Sequence, residues 1–240
     1  MALERAEPWS LEDIWPPNDT EESCLGTNLH QTTITNLRWG LNEAARVCQV
    51  PGRPLPWTAL SQTLLLGCQR PDGSYYRTYP DLFVYLSAVD PNRGSMSVGA
   101  DGPPALIVEV VSESTFDTDV GHVRGKGYSY ARAGVPEYVA LDPTGQYIAG
   151  VAAWRLEGER YGVWPPDPDR RWHSAQLPIA IALEGAQAVV YLSSGQRMLA
   201  EGEVEAALAA VETALAEKDA ELARKDAEID RLRRLLKGDR

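Results

Sequence analysis

At 240 residues and 44% hydrophobic content, the chain is long enough for one main domain with a sizeable core plus an appendage. Its net charge of −11 departs from the basic footprint of a non-specific nucleic-acid binder, and no window is apolar for the length needed to span a membrane. The stretch through Asn18 has neither the basic start nor the apolar centre of a signal peptide, so a cytoplasmic location is expected; Cys24, Cys48 and Cys68 are odd in number and lack a CxxC pair, which argues against a disulfide framework and a zinc site.

Residues 1–19, with Pro8, Trp9, Trp15, Pro16 and Pro17, read as an N-terminal extension. From Gln31 to Val47 the residues Ile34, Leu37, Leu41, Ala44, Ala45 and Val47 recur near helical spacing, which predicts an amphipathic helix covering one face of a sheet. His30 then starts that helix, and Glu43 lies on its solvated face. Leu64-Leu65-Leu66 is a strand, with Cys68 an ordinary thiol beside Gly67.

The next two strands carry charge. Asp81 leads into Leu82-Phe83-Val84-Tyr85-Leu86, and Ala105-Leu106-Ile107-Val108 leads into Glu109. A sheet interior seldom tolerates unpaired charge, so positive partners should lie near both carboxylates. A divalent cation would serve, since Mg²⁺ is usually held by one or two carboxylates with water and substrate phosphates filling its other positions. Read on its own, Asp81 serves equally as a strand-end carboxylate capping main-chain N–H groups, and Glu109 as one half of a structural ion pair with Lys126.

The stretch from Asp117 through Lys126, Tyr128, Tyr130 and Ala131 suits one helix despite two glycines, with Lys126 projecting toward the sheet and His122 in its exposed approach. Gly134 to Pro143 then reads as a helix stop, the strand Glu137-Tyr138-Val139-Ala140-Leu141 and a turn. Ile148 to Trp154 and Arg160 to Trp164 predict a hairpin turning at Glu157-Gly158-Glu159, packed by Trp154, Trp164 and Trp172. Pro165 to Asp169 is a loop, His173 lies in another, and Leu177 to Leu183 and Ala188 to Leu192 are short strands.

From Glu201 the character changes. Val204, Leu208, Val211, Leu215, Leu222, Ile229, Leu232 and Leu236 fall on alternating four- and three-residue steps, with Lys218 and Lys225 filling the two gaps. A seam this long with flanking charge predicts a coiled-coil helix over 201–237 and a homodimer, weakened by its two lysines.

The ordered blocks Pro80-Asp81, Ile107-Val108-Glu109-Val110-Val111-Ser112, Asp119, Lys126 and Tyr130, and Gly134-Val135-Pro136-Glu137-Tyr138 with Asp142-Pro143 resemble the Uma2 family of endonucleases, in the PD-(D/E)XK nuclease superfamily. The resemblance covers residues 20–195. It implies an α/β (α+β) fold with a restriction-endonuclease-like mixed β-sheet core flanked by helices, and it assigns metal-ligand roles to Asp81 and Glu109. The motif's lysine would fall at position 111, which is Val111; as in Uma2-like sequences it stands instead on the following helix, four residues before a tyrosine, as Lys126 and Tyr130 do. About three extra residues separate Asp119 from Lys126 relative to the family spacing.

On this reading Asp81, Glu109 and the Val110 carbonyl hold Mg²⁺ or Mn²⁺ against a DNA phosphodiester, and Lys126 offsets the developing negative charge. Arg70, Arg77, Arg124 and Arg132 are available for a local basic patch, and the paired chains would present two sites to a duplex. The alternative is a catalytically inactive PD-(D/E)XK-like module that acts as a dimeric scaffold through its coiled coil. The tail and the part before it are both acidic, at −3 and −8, which favours the alternative; the Asp81 and Glu109 pair favours the enzyme.

Overall fold

The computed structural model describes residues 28–238, apart from 71, 91, 114 and 121–124. The extension over 1–19, Cys24, His122 and Arg124 lie outside the described residues.

Helix α1 (Asn28–Val47) forms where the apolar spacing predicts it and buries Ile34, Leu37, Leu41, Ala44 and Ala45. Side chains fix its angle: Asn42 exchanges two hydrogen bonds with the Ala59 main chain, at 3.1 and 2.9 Å, and the Trp57 indole donates to the Leu41 carbonyl at 2.9 Å. The central sheet has the order β1 (Thr58–Leu60), β4 (Leu82–Tyr85), β6 (Leu106–Val110), β7 (Glu137–Leu141), β8 (Val151–Glu157), β9 (Arg160–Val163). Only β6 and β7 run parallel within it; every other pairing is antiparallel. A parallel neighbour requires a crossover, and here that crossover carries α3 (Phe116–Asp119) and α4 (Lys126–Arg132).

Two smaller sheets flank this one. In the first, β2 (Leu64–Gln69) lies between β3 (Tyr75–Thr78) and β5 (Ser95–Ser97); in the second, β11 (Ile179–Glu184) lies between β10 (Trp172–His173) and β12 (Gln187–Leu192). The strict alternation of strand side chains divides the interior into two cores. Leu82, Val84, Leu106, Val108, Val139 and Leu141 pack with α1, β11 and β12. Phe83, Ile107, Tyr138 and Ala140 pack with Tyr130 of α4 and with β2 and β3. Glu109 takes the same parity as Ile107, which aims its carboxylate into the layer containing α4.

The fold is therefore the expected restriction-endonuclease-like mixed sheet with flanking helices. Trp154, Trp164 and Trp172 are buried within it, the last donating from Nε1 to the Trp164 carbonyl at 3.0 Å. His173 lies on the two-residue strand β10 rather than in a loop; so short a strand leaves no periodic trace. The short strands β1 and β5 and the single-turn α2 (Val98–Asp101) are absent from the periodicity reading for the same reason.

The single helix expected from Asp117 to Ala131 is two, α3 and α4. The periodicity continues, but the backbone does not: Gly125 is extended, with φ −87° and ψ −150°. A Cβ built there would stand 1.9 Å from the Thr118 carbonyl oxygen, so the chain re-enters against its own backbone at a point where only glycine fits.

The chain divides between Met198 and Leu199 into two units. The second is dominated by α5 (Glu201–Gly238), on which Leu208, Leu215, Leu222 and Ile229 are exposed. Among the described residues no helix is long and apolar enough to cross a membrane.

Gly125→Ala is expected to cost about 1–3 kcal/mol of stability through overpacking, read as a lower urea midpoint. Gly94→Ala, where an added Cβ meets nothing within 4 Å, should change stability by no more than about 0.5 kcal/mol, as surface changes usually do, and leave the midpoint near that of wild type. Equal midpoints for the two variants would refute the close approach.

Candidate active site

Asp81 and Glu109 meet because β4 and β6 are antiparallel neighbours, with Leu82 opposite Val108. The residues on either side of that pair grip one another. The Val110 N–H donates to Asp81 Oδ2 at 2.7 Å, and the Asp81 N–H donates to Glu109 Oε2 at 3.3 Å. Each carboxylate is thus held by main chain belonging to the other's strand, which is the cap expected of Asp81 and also sets the two acids side by side.

Lys126 opens α4 and reaches into this cluster. Its Nζ lies 3.3 Å from Glu109 Oε2 and 3.1 Å from Asp119 Oδ1. The lysine side chain is 8% exposed and both carboxylates 1%, so solvent screens these attractions little. One turn along α4, the Tyr130 hydroxyl donates to Glu109 Oε1 at 2.6 Å and lies 3.2 Å from Thr78 Oγ1. The Tyr138 hydroxyl donates to the Asp119 carbonyl at 2.6 Å, which ties α3 to the sheet. From the first turn of α1, His30 Nε2 stands 3.2 Å from Asp81 Oδ2, and its ring also hydrogen-bonds the Val110 main chain.

Burial pushes the Glu109 pKa well above the usual carboxylate range; the Lys126 charge pulls it back, and the charges of Asp119 and Asp81 push it further up. Burial likewise raises Asp119, against the pull of Lys126. For His30, burial opposes protonation, but the hydrogen bond and charge of Asp81, with the Val110 main chain, outweigh it and hold the ring above its ordinary value. Tyr130 is driven well up by burial and by the Glu109 charge, so it stays a phenol and a donor.

The structure brings together Asp81, Glu109, Val110 and Lys126, with His30 at the edge. Other residues singled out in the sequence lie elsewhere. Glu43 pairs with Arg46 on the α1 surface, His173 Nε2 lies 2.7 Å from Asp167 Oδ2, and Arg132 Nη1 lies 3.7 Å from Glu159. The Arg70 guanidinium lies over the Tyr76 ring, 5.1 Å from its centre. Cys68 is buried, which lifts its thiol to about 12, the reverse of an activated nucleophile. Asp72 lies in a turn, where it accepts the Ser74 N–H at 2.8 Å.

Asp119 is the residue whose role sequence reasoning missed. A signal for its partner was present: of the 15 basic residues before the C-terminal helix, 14 are arginine and Lys126 is the one lysine. A chain that meets its other cationic needs there with arginine uses a compact ammonium at one place, and Asp119 is the carboxylate nearest to it in sequence.

The chain matches the sequence model of the Uma2 family, which carries the description "Putative restriction endonuclease", over residues 22–184. No curated protein matches it. The matched span takes in α1, the whole central sheet and every residue gathered around Glu109, and on that match the chain belongs to the Uma2 family.

Proposed function

We propose that the chain is a metal-dependent endonuclease that hydrolyses phosphodiester bonds in DNA. The observation that carries this reading is the mutual grip of Asp81 and Glu109 through the main chains of Val110 and Asp81. Among the described residues, no three His, Cys, Asp or Glu side chains converge to hold a metal ion. The donors at hand are two carboxylates and the Val110 carbonyl, all hard oxygens, and this fits Mg²⁺ or Mn²⁺, which need only one or two carboxylates from the protein.

Bound there, the cation supplies Lewis-acid polarisation of a phosphate oxygen and a lower pKa for its water. Hydrolysis adds a water oxygen to phosphorus as the bond to the leaving nucleoside oxygen breaks. Lys126 sets a positive charge where negative charge grows, worth more in a buried site than in water. Tyr130 holds one oxygen of Glu109, His30 holds Asp81, and both therefore orient the ligands rather than react.

One observation favours the non-catalytic reading. Both Glu109 oxygens are already engaged, Oε1 by Tyr130 and Oε2 by Lys126 and the Asp81 N–H. A domain that never bound a cation would keep such a self-satisfied cluster. In either case the exposed stripe of α5 supports pairing of chains. Leu208, Leu215, Leu222 and Ile229 occupy one seam position, and Lys218 and Lys225 interrupt the other. Two linked nuclease domains would suit cleavage of both strands of a duplex, an analogy from the superfamily.

Asp81→Ala is expected to abolish both Mg²⁺ binding by calorimetry and nicking of supercoiled plasmid, with the circular dichroism spectrum unchanged; full residual nicking sinks the assignment. Glu109 generates a pH prediction. Its carboxyl holds a proton more tightly in the folded chain than in the unfolded one, so stability should fall as pH rises from the unfolded pKa through the higher folded one. Glu109→Gln should flatten that decline and unfold at higher urea than wild type at pH 8, while losing Mg²⁺ binding; a steeper decline in the variant counts against the raised pKa. Light scattering should give a dimer for the full chain at on the order of tens of micromolar, and a monomer for the double variant Leu215→Glu, Leu222→Glu. A wild-type monomer refutes the pairing.

A further inference from the structure

The contacts of Lys126 raise a question of occupancy. Its Nζ is shared between Glu109 Oε2 and Asp119 Oδ1, at 3.3 and 3.1 Å. Glu109 Oε2 also accepts the Asp81 N–H, while Oε1 takes the Tyr130 hydroxyl. Once Glu109 gives an oxygen lone pair to a divalent cation, that cation and the ammonium share one carboxylate in a site with little screening, and like charges so placed repel strongly. Lys126 must then leave Glu109. A lysine with no second anchor would either swing out to water or stay and compete with the cation.

Asp119 removes that choice. It is 1% exposed and already touches the ammonium. It is fixed at the end of α3, and Tyr138 grips its carbonyl. Neither neighbouring side chain competes for its role: Asp81 is engaged by Val110 and His30, and Tyr130 is a donor to Glu109. Resting on the metal-nuclease reading, we infer that Asp119 is the positioning residue of the site, the carboxylate that receives Lys126 when Glu109 turns to a divalent cation and so keeps the ammonium beside the reacting phosphate. The lysine moves between two oxygens that it already contacts, so the change is a shift of one side chain and no helix need move.

The chain makes this directly observable, because Lys126, Lys218, Lys225 and Lys237 are its only lysines. Ammonium resonances of the ¹⁵N-labelled full-length protein can be followed as Mg²⁺ alone is added, with the Lys126 signal assigned by its loss in Lys126→Met. In wild type that signal is expected to shift and persist at saturation, since Asp119 retains the buried ammonium. In Asp119→Asn the signal should be present without Mg²⁺ and vanish by exchange with water when Mg²⁺ is saturating. Calorimetry should show Mg²⁺ binding weakened roughly tenfold or more, the usual effect of removing a partner behind a metal ligand. Asp119→Glu keeps the counter-charge, should restore the signal, and carries the test if the asparagine variant does not fold.

A persistent Lys126 signal in Mg²⁺-saturated Asp119→Asn, or its disappearance in Mg²⁺-saturated wild type, overturns the role of Asp119 while leaving the metal site standing. Wild-type protein that takes up no Mg²⁺ overturns both.

Discussion

The site depends on one constraint: carboxylates withdrawn from water must be given positive charge or N–H donors in return. Glu109 and Asp119 are each 1% exposed, and the one ammonium between them cannot satisfy both alone. For Glu109 the remainder is supplied by the Asp81 N–H and the Tyr130 hydroxyl. Lys126 and Tyr130 come from α4, Asp119 from α3 and Glu109 from β6, and Asp81 immediately precedes β4, so the cluster requires all four elements to be in place together. A carboxylate that depends on so many parts marks a site whose geometry is assembled by the fold rather than carried on one loop.

The sheet supplies the direction of that assembly. Period-two alternation sends Leu106 and Val108 toward α1 and Ile107 and Glu109 toward α4, so β6 serves one apolar core with one face and the charged cluster with the other. Shifting the register by one residue would turn Glu109 into the Leu37 and Leu41 core. The apolar residues around it are therefore what specify the position of the charge. Raising the pKa of Glu109 lowers stability at neutral pH, a cost common to sites that keep a charged group poised for use.

Much of this was legible from residue pattern. Asp81 and Glu109 stood out because each interrupts an apolar strand, and the helix over Gln31 to Val47 followed from its spacing. Elements that periodicity could not detect were too short to have a period, as with β1, β5 and β10. The single helix expected across Asp117 to Ala131 failed for another reason: spacing describes where side chains point, whereas the break at Gly125 comes from two backbones meeting, and nothing in the pattern records that. No role was assigned to Asp119 because its meaning depends on Lys126 reaching it, at 3.1 Å, which side-chain spacing does not record.

The meeting of Gly125 with Thr118 has a consequence for how such chains diverge. Where the two ends of a connection are pinned together, its length is separated from the position of whatever follows, and each doubling of the connecting loop adds only about 0.6 kcal/mol of closure entropy. Insertions between Val120 and Gly125 can then accumulate without drawing Lys126 away from Glu109. A spacing rule written in residues drifts under these conditions while the distance in space is kept.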